Sequence, residues 1–253
     1  MLFDTHAHYD DDRFSEDADI LFSEFQAKGV AYIVNCATDI NSCKKSKLFA
    51  EKYDYIYFSS GVHPHESENV NKTYLDDLKS FASHKKCVAI GEIGLDYHYD
   101  FSDRATQLKV FEEQLILAKE LNLPVIIHDR DAHADTLNLL KKYKPEGILH
   151  CFSGSVESAK EILNLGMYIG LGGAVTFKNA KKPVEVAKYV PDDRLLLETD
   201  CPYMTPVPFR GQRNDSTYIS YTAEFIASIR NTDTQVLLDL TAKNAKKVFK
   251  INE

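Results

Sequence analysis

Short runs of apolar residues recur along the chain. They alternate with longer stretches in which apolar residues return every three or four positions. The short runs cover residues 2–6, 32–36, 56–62, 87–92, 125–128, 147–151, 168–171 and 195–199. Most are continuously apolar, the pattern of strands covered on both faces. The longer stretches read as amphipathic helices. In 105–121, Leu108, Phe111, Leu115 and Ala118 fall at helical spacing, and Pro124 opens the next strand. Ala18, Leu21, Phe22 and Phe25 form a similar stripe that ends at Gly29. Segments 74–83, 156–165, 180–189, 218–229 and 234–249 complete the helical set.

Eight strands with helices between them predict an α/β fold with a parallel sheet. At 253 residues, the chain has the size of one TIM (β/α)8 barrel, and a single domain over 1–253 is expected. An open doubly wound sheet is the alternative. No GxGxxG turn follows an early strand to support it. The sequence contains no linker, low-complexity tract or internal repeat.

Composition narrows the picture. A hydrophobic content of 44% is ample for one core. The net charge is −8 and the isoelectric point about 5.6. A nucleic acid would therefore have to be held by a local patch or by metal rather than by overall attraction. The five cysteines (Cys36, Cys43, Cys87, Cys151, Cys201) show no CxxC spacing, and several lie in strand-like runs. Buried, reduced thiols are the expectation. A strand begins within two residues of the N-terminus, which leaves no room for a signal peptide. No apolar run approaches the ~20 residues of a membrane span. The chain reads as a soluble cytoplasmic protein, monomeric by default, with no membrane partner.

Candidate chemistry sits where strands give way to loops, and a parallel barrel gathers those ends at one face. Asp4-Thr5-His6-Ala7-His8 places His6 and His8 on the same side of a strand, where two imidazoles can chelate one ion. Read alone, the pair could equally be core or exposed histidines. Glu92 follows an apolar strand between glycines. A carboxylate there is costly unless paired or metal-bound, and its two oxygens can bridge two cations. Asp96 reads as a turn residue or substrate contact. His128 and His150 end neighbouring strands, a coincidence that packing explains poorly. Asp200 ends the last strand and could ligate metal, take a proton from water, or both. Glu198 faces the same side, as an orienting group or in a structural ion pair. His63 lies at the third strand's mouth and suits an anionic substrate, with a backbone-capping role as the alternative. His65 reads as its support. Arg210 and Arg213 occupy a loop after the last strand. Arginine forks match phosphate oxygens, and Arg210 is the candidate anion contact.

Together these residues supply three ligands to each of two ions. Oxygen and imidazole donors without thiolate suit Zn²⁺, Mn²⁺, Mg²⁺ or Co²⁺. Two such ions activate water and clamp the attacking and leaving oxygens of a phosphodiester. Glu92 and Asp200 are the catalytic candidates, with Glu92 shared between the ions. Nothing indicates a Ser or Cys triad, a nicotinamide site or a Walker loop.

The runs DTHAHYD, GVHPHE, IGEIGLDYHYD, LPVIIHDRDAH, LHCFSGS, LLLETDCPY and PFRGQRN closely resemble those of the TatD family of metal-dependent deoxyribonucleases. The likeness extends from residue 1 to near Asn244. It implies a barrel of the metal-dependent hydrolase superfamily. It also implies that His6, His8, Glu92, His128, His150 and Asp200 ligate metal, with Glu92 bridging and His63 near the scissile phosphate. The implied activity is 3′–5′ exonuclease or general DNase action in the cytoplasm, on single-stranded DNA, with RNA as a further candidate substrate. The resemblance departs at Asp215-Ser216, where the family usually has Glu-Pro. Many related barrels bridge their metals with a modified lysine, and Glu92 at that point favours the nuclease-like branch. An ester or amide hydrolase, such as a D-aminoacyl-tRNA deacylase or lactonase, is the alternative. A metal-binding scaffold without turnover is a third reading, opposed by the thiolate-free ligand set.

Overall fold

The protein, described here from a computed structural model covering residues 1–251, is built on one sheet. Its eight strands run β1 (Leu2–Ala7), β2 (Val30–Asn35), β3 (Ile56–Ser60), β4 (Cys87–Asp96), β5 (Val125–Arg130), β6 (Gly147–Leu149), β7 (Tyr168–Leu171) and β8 (Leu195–Leu197). Each pairs in parallel with the next, in the order β1 to β8. The seam between β8 and β1 closes near the site. Thr5 Oγ1 donates to the Leu197 carbonyl at 3.0 Å, Asp200 N–H to His6 O at 2.9 Å, and His8 N–H to Cys201 O at 2.8 Å. The (β/α)8 barrel expected from the periodicity is the observed fold.

Helices α1 (Ala18–Phe25), α2 (Ile40–Lys52), α3 (Tyr74–Ala82), α4 (Arg104–Leu121), α5 (His133–Tyr143), α6 (Val156–Asn164), α7 (Lys181–Tyr189), α8 (Ile219–Arg230) and α9 (Thr234–Val248) surround it. Two of these, α2 and α5, have no counterpart in the apolar spacing. The buried face of α2 is Ser42, Cys43, Ser46 and Ala50, too small and polar to register as a stripe. Helix α5 buries only Thr136, Leu137 and Leu140. Asp39 starts α2 by accepting from Ser42 N–H at 2.7 Å.

Strand ends also shift. β4 and β5 run on past Glu92 and His128 because Gly94, Leu95 and Asp96 pair with His128, Asp129 and Arg130. Gly94 permits this. Its φ is +145°, and a Cβ there would meet the His128 carbonyl oxygen at 1.9 Å. β3, β6 and β8 stop two residues earlier than the apolar runs, so His150 and Asp200 lie just beyond regular strand.

Side-chain alternation then divides the barrel along its axis. Ile126 lies below His128, Ile148 below His150, and Leu196 below Glu198. Phe3, Val34, Ile126, Ile148, Tyr168 and Leu196 form one apolar cluster with Val248, Phe249 and Ile251 at the chain's end. The Phe3 and Phe249 rings stack at 6.2 Å. That end is filled, and the opposite rim is left for chemistry. All five cysteines are free thiols, four buried and Cys151 half-buried. Among the described residues, no helix is long and apolar enough to cross a membrane.

Candidate metal centre

Glu92 is the hub of the rim. It is 3% exposed, and its two oxygens face different neighbours. Oε2 lies 3.2 Å from His6 Nε2 and 3.5 Å from His8 Nε2. Oε1 lies 2.7 Å from His150 Nε2, 2.9 Å from His128 Nδ1 and 3.6 Å from His63 Nε2. Asp200 completes the first group, its Oδ1 3.4 Å from His8 Nε2 and 3.8 Å from His6 Nε2. The His6 and His150 rings stack at 3.8 Å. His6, His8 and Glu92 form one set able to hold an ion; His6, His150 and Asp200 form another, and His63, Glu92 and His128 a third.

Neighbouring groups aim these side chains. His8 Nδ1 lies 2.9 Å from the Cys36 carbonyl. That bond puts the ring proton on Nδ1 and leaves the Nε2 lone pair facing Glu92 and Asp200. His128 is held from behind, with Nε2 3.1 Å from Asp96 Oδ2. The same oxygen takes His65 Nε2 at 2.9 Å. Asp96 is fully buried and accepts from His98 and Tyr99 N–H at 3.0 and 2.9 Å. It thus holds the turn that follows it, as the sequence suggested, and at the same time supports His128 and His65. His63 differs from the rest. Its Nδ1 accepts from His65 N–H at 3.2 Å, so the neutral ring carries its proton on Nε2 and offers a donor, not a lone pair.

The site fits a cation on two grounds. First, His8 Nε2, Glu92 Oε2 and Asp200 Oδ1 converge in a buried pocket, where the two carboxylates require positive charge between them, from a proton on His8 or from a cation that replaces it. Second, several atoms around it are left without partners. Among the described residues, buried His6 Nδ1, His150 Nδ1 and Glu198 Oε2 have no hydrogen bond. The protonation pattern follows the same crowding. Burial opposes charge on His8, but the Asp200 hydrogen bond and the Glu92 charge outweigh it and raise the imidazole to about 9. Burial likewise opposes charge on Glu92, yet His150, His6 and His63 hold its carboxyl well below the usual carboxylate range. Burial pushes the His6 and His63 imidazoles down.

Beneath the rim lies a second polar layer. Asp4, fully buried, accepts from Thr199 Oγ1 at 2.6 Å and Thr199 N–H at 3.0 Å. It also accepts from Ser216 Oγ at 2.7 Å, so it stitches β1 to the segment that carries Asp200. Burial raises the Asp4 carboxyl to about 7, against the pull of these donors. The Ser216 hydroxyl is what carries this last bond to Asp4. Two glutamines of α4 clamp the loops after β3 and β4. Gln114 accepts from Val62 N–H at 2.7 Å and donates to Val62 O at 3.0 Å. Gln107 accepts from Asp96 N–H at 2.9 Å and donates to Ser102 O at 2.8 Å. Glu198 accepts from Cys151 N–H at 2.5 Å and lies 3.8 Å from His150 Nδ1.

The fold thus brings His6, His8, His63, Glu92, His128, His150 and Asp200 together. It does not bring Arg210 into that cluster. Arg210 is exposed, its guanidinium 4.3 Å over the Phe177 ring. Arg213 is a structural residue, paired with Asp17 Oδ1 at 2.9 Å. Asp4, Gln107 and Gln114 went unassigned from sequence, as did the support Asp96 gives His128. Periodicity could have flagged the glutamines, because both fall on the buried face of α4.

Fold and site together define a class: a barrel hydrolase that depends on metal. Comparison with known proteins leads to the same place. Residues 3–250 match the family described as TatD related DNase. The metal-dependent hydrolase YabD of Bacillus subtilis is 45% identical over 100% of both chains. The 3'-5' ssDNA/RNA exonuclease TatD of Cronobacter sakazakii is 34% identical over 98% of this chain and 97% of its own. The crystal structure of YJJV, a TatD homologue from Escherichia coli, superposes with a TM-score of 0.93 at 32% identity, covering 99% of this chain and 98% of its own. The chain belongs to the TatD related DNase family, and it is a metal-dependent hydrolase.

Proposed function

We propose that this enzyme hydrolyses phosphodiester bonds of DNA, as a 3′–5′ exonuclease on single strands, with two divalent cations held at the rim. The observation that carries the reading is the division of Glu92, whose two oxygens face two separate groups of imidazoles. His6, His8 and Asp200 would hold one ion with Oε2, and His128 and His150 the other with Oε1. The printed name of the Cronobacter relative supports the substrate class.

When bound, Mg²⁺, Mn²⁺, Zn²⁺ or Co²⁺ supplies Lewis-acid stabilisation of phosphate charge and acidifies water. The chain's own residues do the rest. Asp200, whose side chain is 16% exposed where Glu92 is sealed, orients the attacking water and takes its proton. His63 donates from Nε2 to a phosphate oxygen. Arg210 steadies the strand with a guanidinium that lies over Phe177. Free thiols throughout the chain suit the reducing cytoplasm, and the enzyme is read as a monomer there.

The test is direct. Strip the protein with chelator, restore Mg²⁺ or Mn²⁺, and map products on end-labelled single-stranded DNA beside RNA, aminoacyl-tRNA and a lactone. Stepwise loss of nucleotides from the 3′ end, abolished in Asp200→Ala, is the expected result. Turnover of the ester or lactone with inert DNA would overturn the reading.

A further inference from the structure

The loop between β4 and α4 carries an aromatic pair that neither the core nor the proposed chemistry uses. Tyr99 and Phe101 are 47% and 65% exposed. Their rings stack on each other, with centroids 5.3 Å apart and planes 19° from parallel. Apolar rings left in water on a floppy loop would mean little, but this loop is pinned. Asp96 takes Tyr99 N–H at 2.9 Å, Gln107 holds Ser102 O at 2.8 Å, and Ser102 Oγ donates to His65 O at 3.0 Å. The rings are held in place and still presented to solvent.

They also adjoin the site. The His65 ring contacts Phe101 at 4.8 Å and Tyr99 at 5.5 Å. It lies 4.3 Å from the His63 ring and 6.3 Å from the His128 ring. One imidazole therefore spans the distance from the stacked pair to the groups around Glu92. A cation borders the platform: the Arg130 guanidinium sits 4.7 Å over the Tyr99 ring. The neighbouring acids are already taken. Asp100 pairs with Arg104, Asp131 with His98, and Asp129 with His133. The charge of Arg130 is thus free to meet a phosphate.

We infer that Phe101, backed by the stacked Tyr99 ring, forms a stacking platform for an unpaired base of single-stranded DNA, with Arg130 on the adjoining phosphate. The inference rests on the nuclease reading for its substrate class and extends it to a subsite. Base stacking on an aromatic ring tolerates any base and needs an unstacked strand. A duplex offers no free base face, so the platform selects single strands, and it registers the strand across His65 from the groups around Glu92.

The test measures binding and cleavage separately. Fluorescence anisotropy with chelated protein follows a labelled oligothymidylate and an abasic strand of equal length. Phe101→Ala weakens the oligothymidylate about tenfold, and Tyr99→Ala with Phe101→Ala by more. Phe101→Tyr, which keeps a ring, retains most of the affinity. The abasic strand binds wild type about as weakly as the oligothymidylate binds the double variant. Equal affinities across the variants, or an abasic strand that binds wild type as well as the oligothymidylate, would overturn the platform. Cleavage by metal-loaded wild type is scored in parallel. Inert DNA there counts against the nuclease reading, whereas cleavage with unchanged binding in the variants counts against the platform alone.

Discussion

At one end of the barrel, Phe3, Val248, Phe249 and Ile251 close the interior with apolar side chains. At the other, five imidazoles surround Glu92 and Asp200 in the same cross-section. The apolar end hides surface from water and satisfies itself. The rim keeps charged and lone-pair atoms out of water, and some of them lack any partner. A group buried at that cost is explained by what it binds, not by what it stabilises. The two ends should therefore answer mutation in opposite ways.

The largest separation comes from Glu92→Gln. One carboxylate oxygen becomes an amide nitrogen, and cleavage is expected to fall by at least the loss for Asp200→Asn, itself on the order of 10²–10⁴-fold. At the apolar end, Phe249→Ala costs about 3–5 kcal/mol of stability in urea denaturation and leaves the fitted metal affinity of the folded protein unchanged. Asp96→Asn is intermediate. It loosens His128 and lowers metal affinity about 10–100-fold by calorimetric titration, with a smaller loss of stability. The two loop arginines divide similarly at the low end. Arg213→Ala costs about 0.2–1 kcal/mol through Asp17 and spares the kinetics, whereas Arg210→Ala raises KM for DNA and spares stability.

A pH effect sharpens the contrast in the layer below the rim. Burial raises Asp4 from 3.8 to about 7 in the folded state. Between those values the folded protein holds a proton that the unfolded chain has released. The Asp4 contribution to metal-free stability should then fall as pH rises from about 4 to 7 and level off above. Denaturation curves across that range should show a shallower fall in Asp4→Asn. An equal slope in both proteins would remove Asp4 from the account.

Much of this was legible in the sequence, for physical reasons. Strands buried on both faces leave unbroken apolar runs, and a barrel sets the residues that follow them side by side. That is why His6, Glu92, His128, His150 and Asp200 could be picked out before any geometry. The missed parts share a different property. Asp4, Gln107 and Gln114 are polar residues in apolar surroundings, and their role depends on partners far along the chain, such as Ser216 for Asp4 and Val62 for Gln114. Helix α2 was silent because small side chains sit on its buried face. The length of β4 hinged on Gly94, whose missing side chain lets the strand press against His128.

If two cations share the Glu92 carboxylate, as proposed, both must be found beside it. Crystals grown from chelated protein and soaked in Mn²⁺ would test it by anomalous scattering. Two peaks flanking Glu92 are expected, one beside His6, His8 and Asp200 and the other beside His128 and His150. A single peak, or ions bound without contact to Glu92, would contradict it.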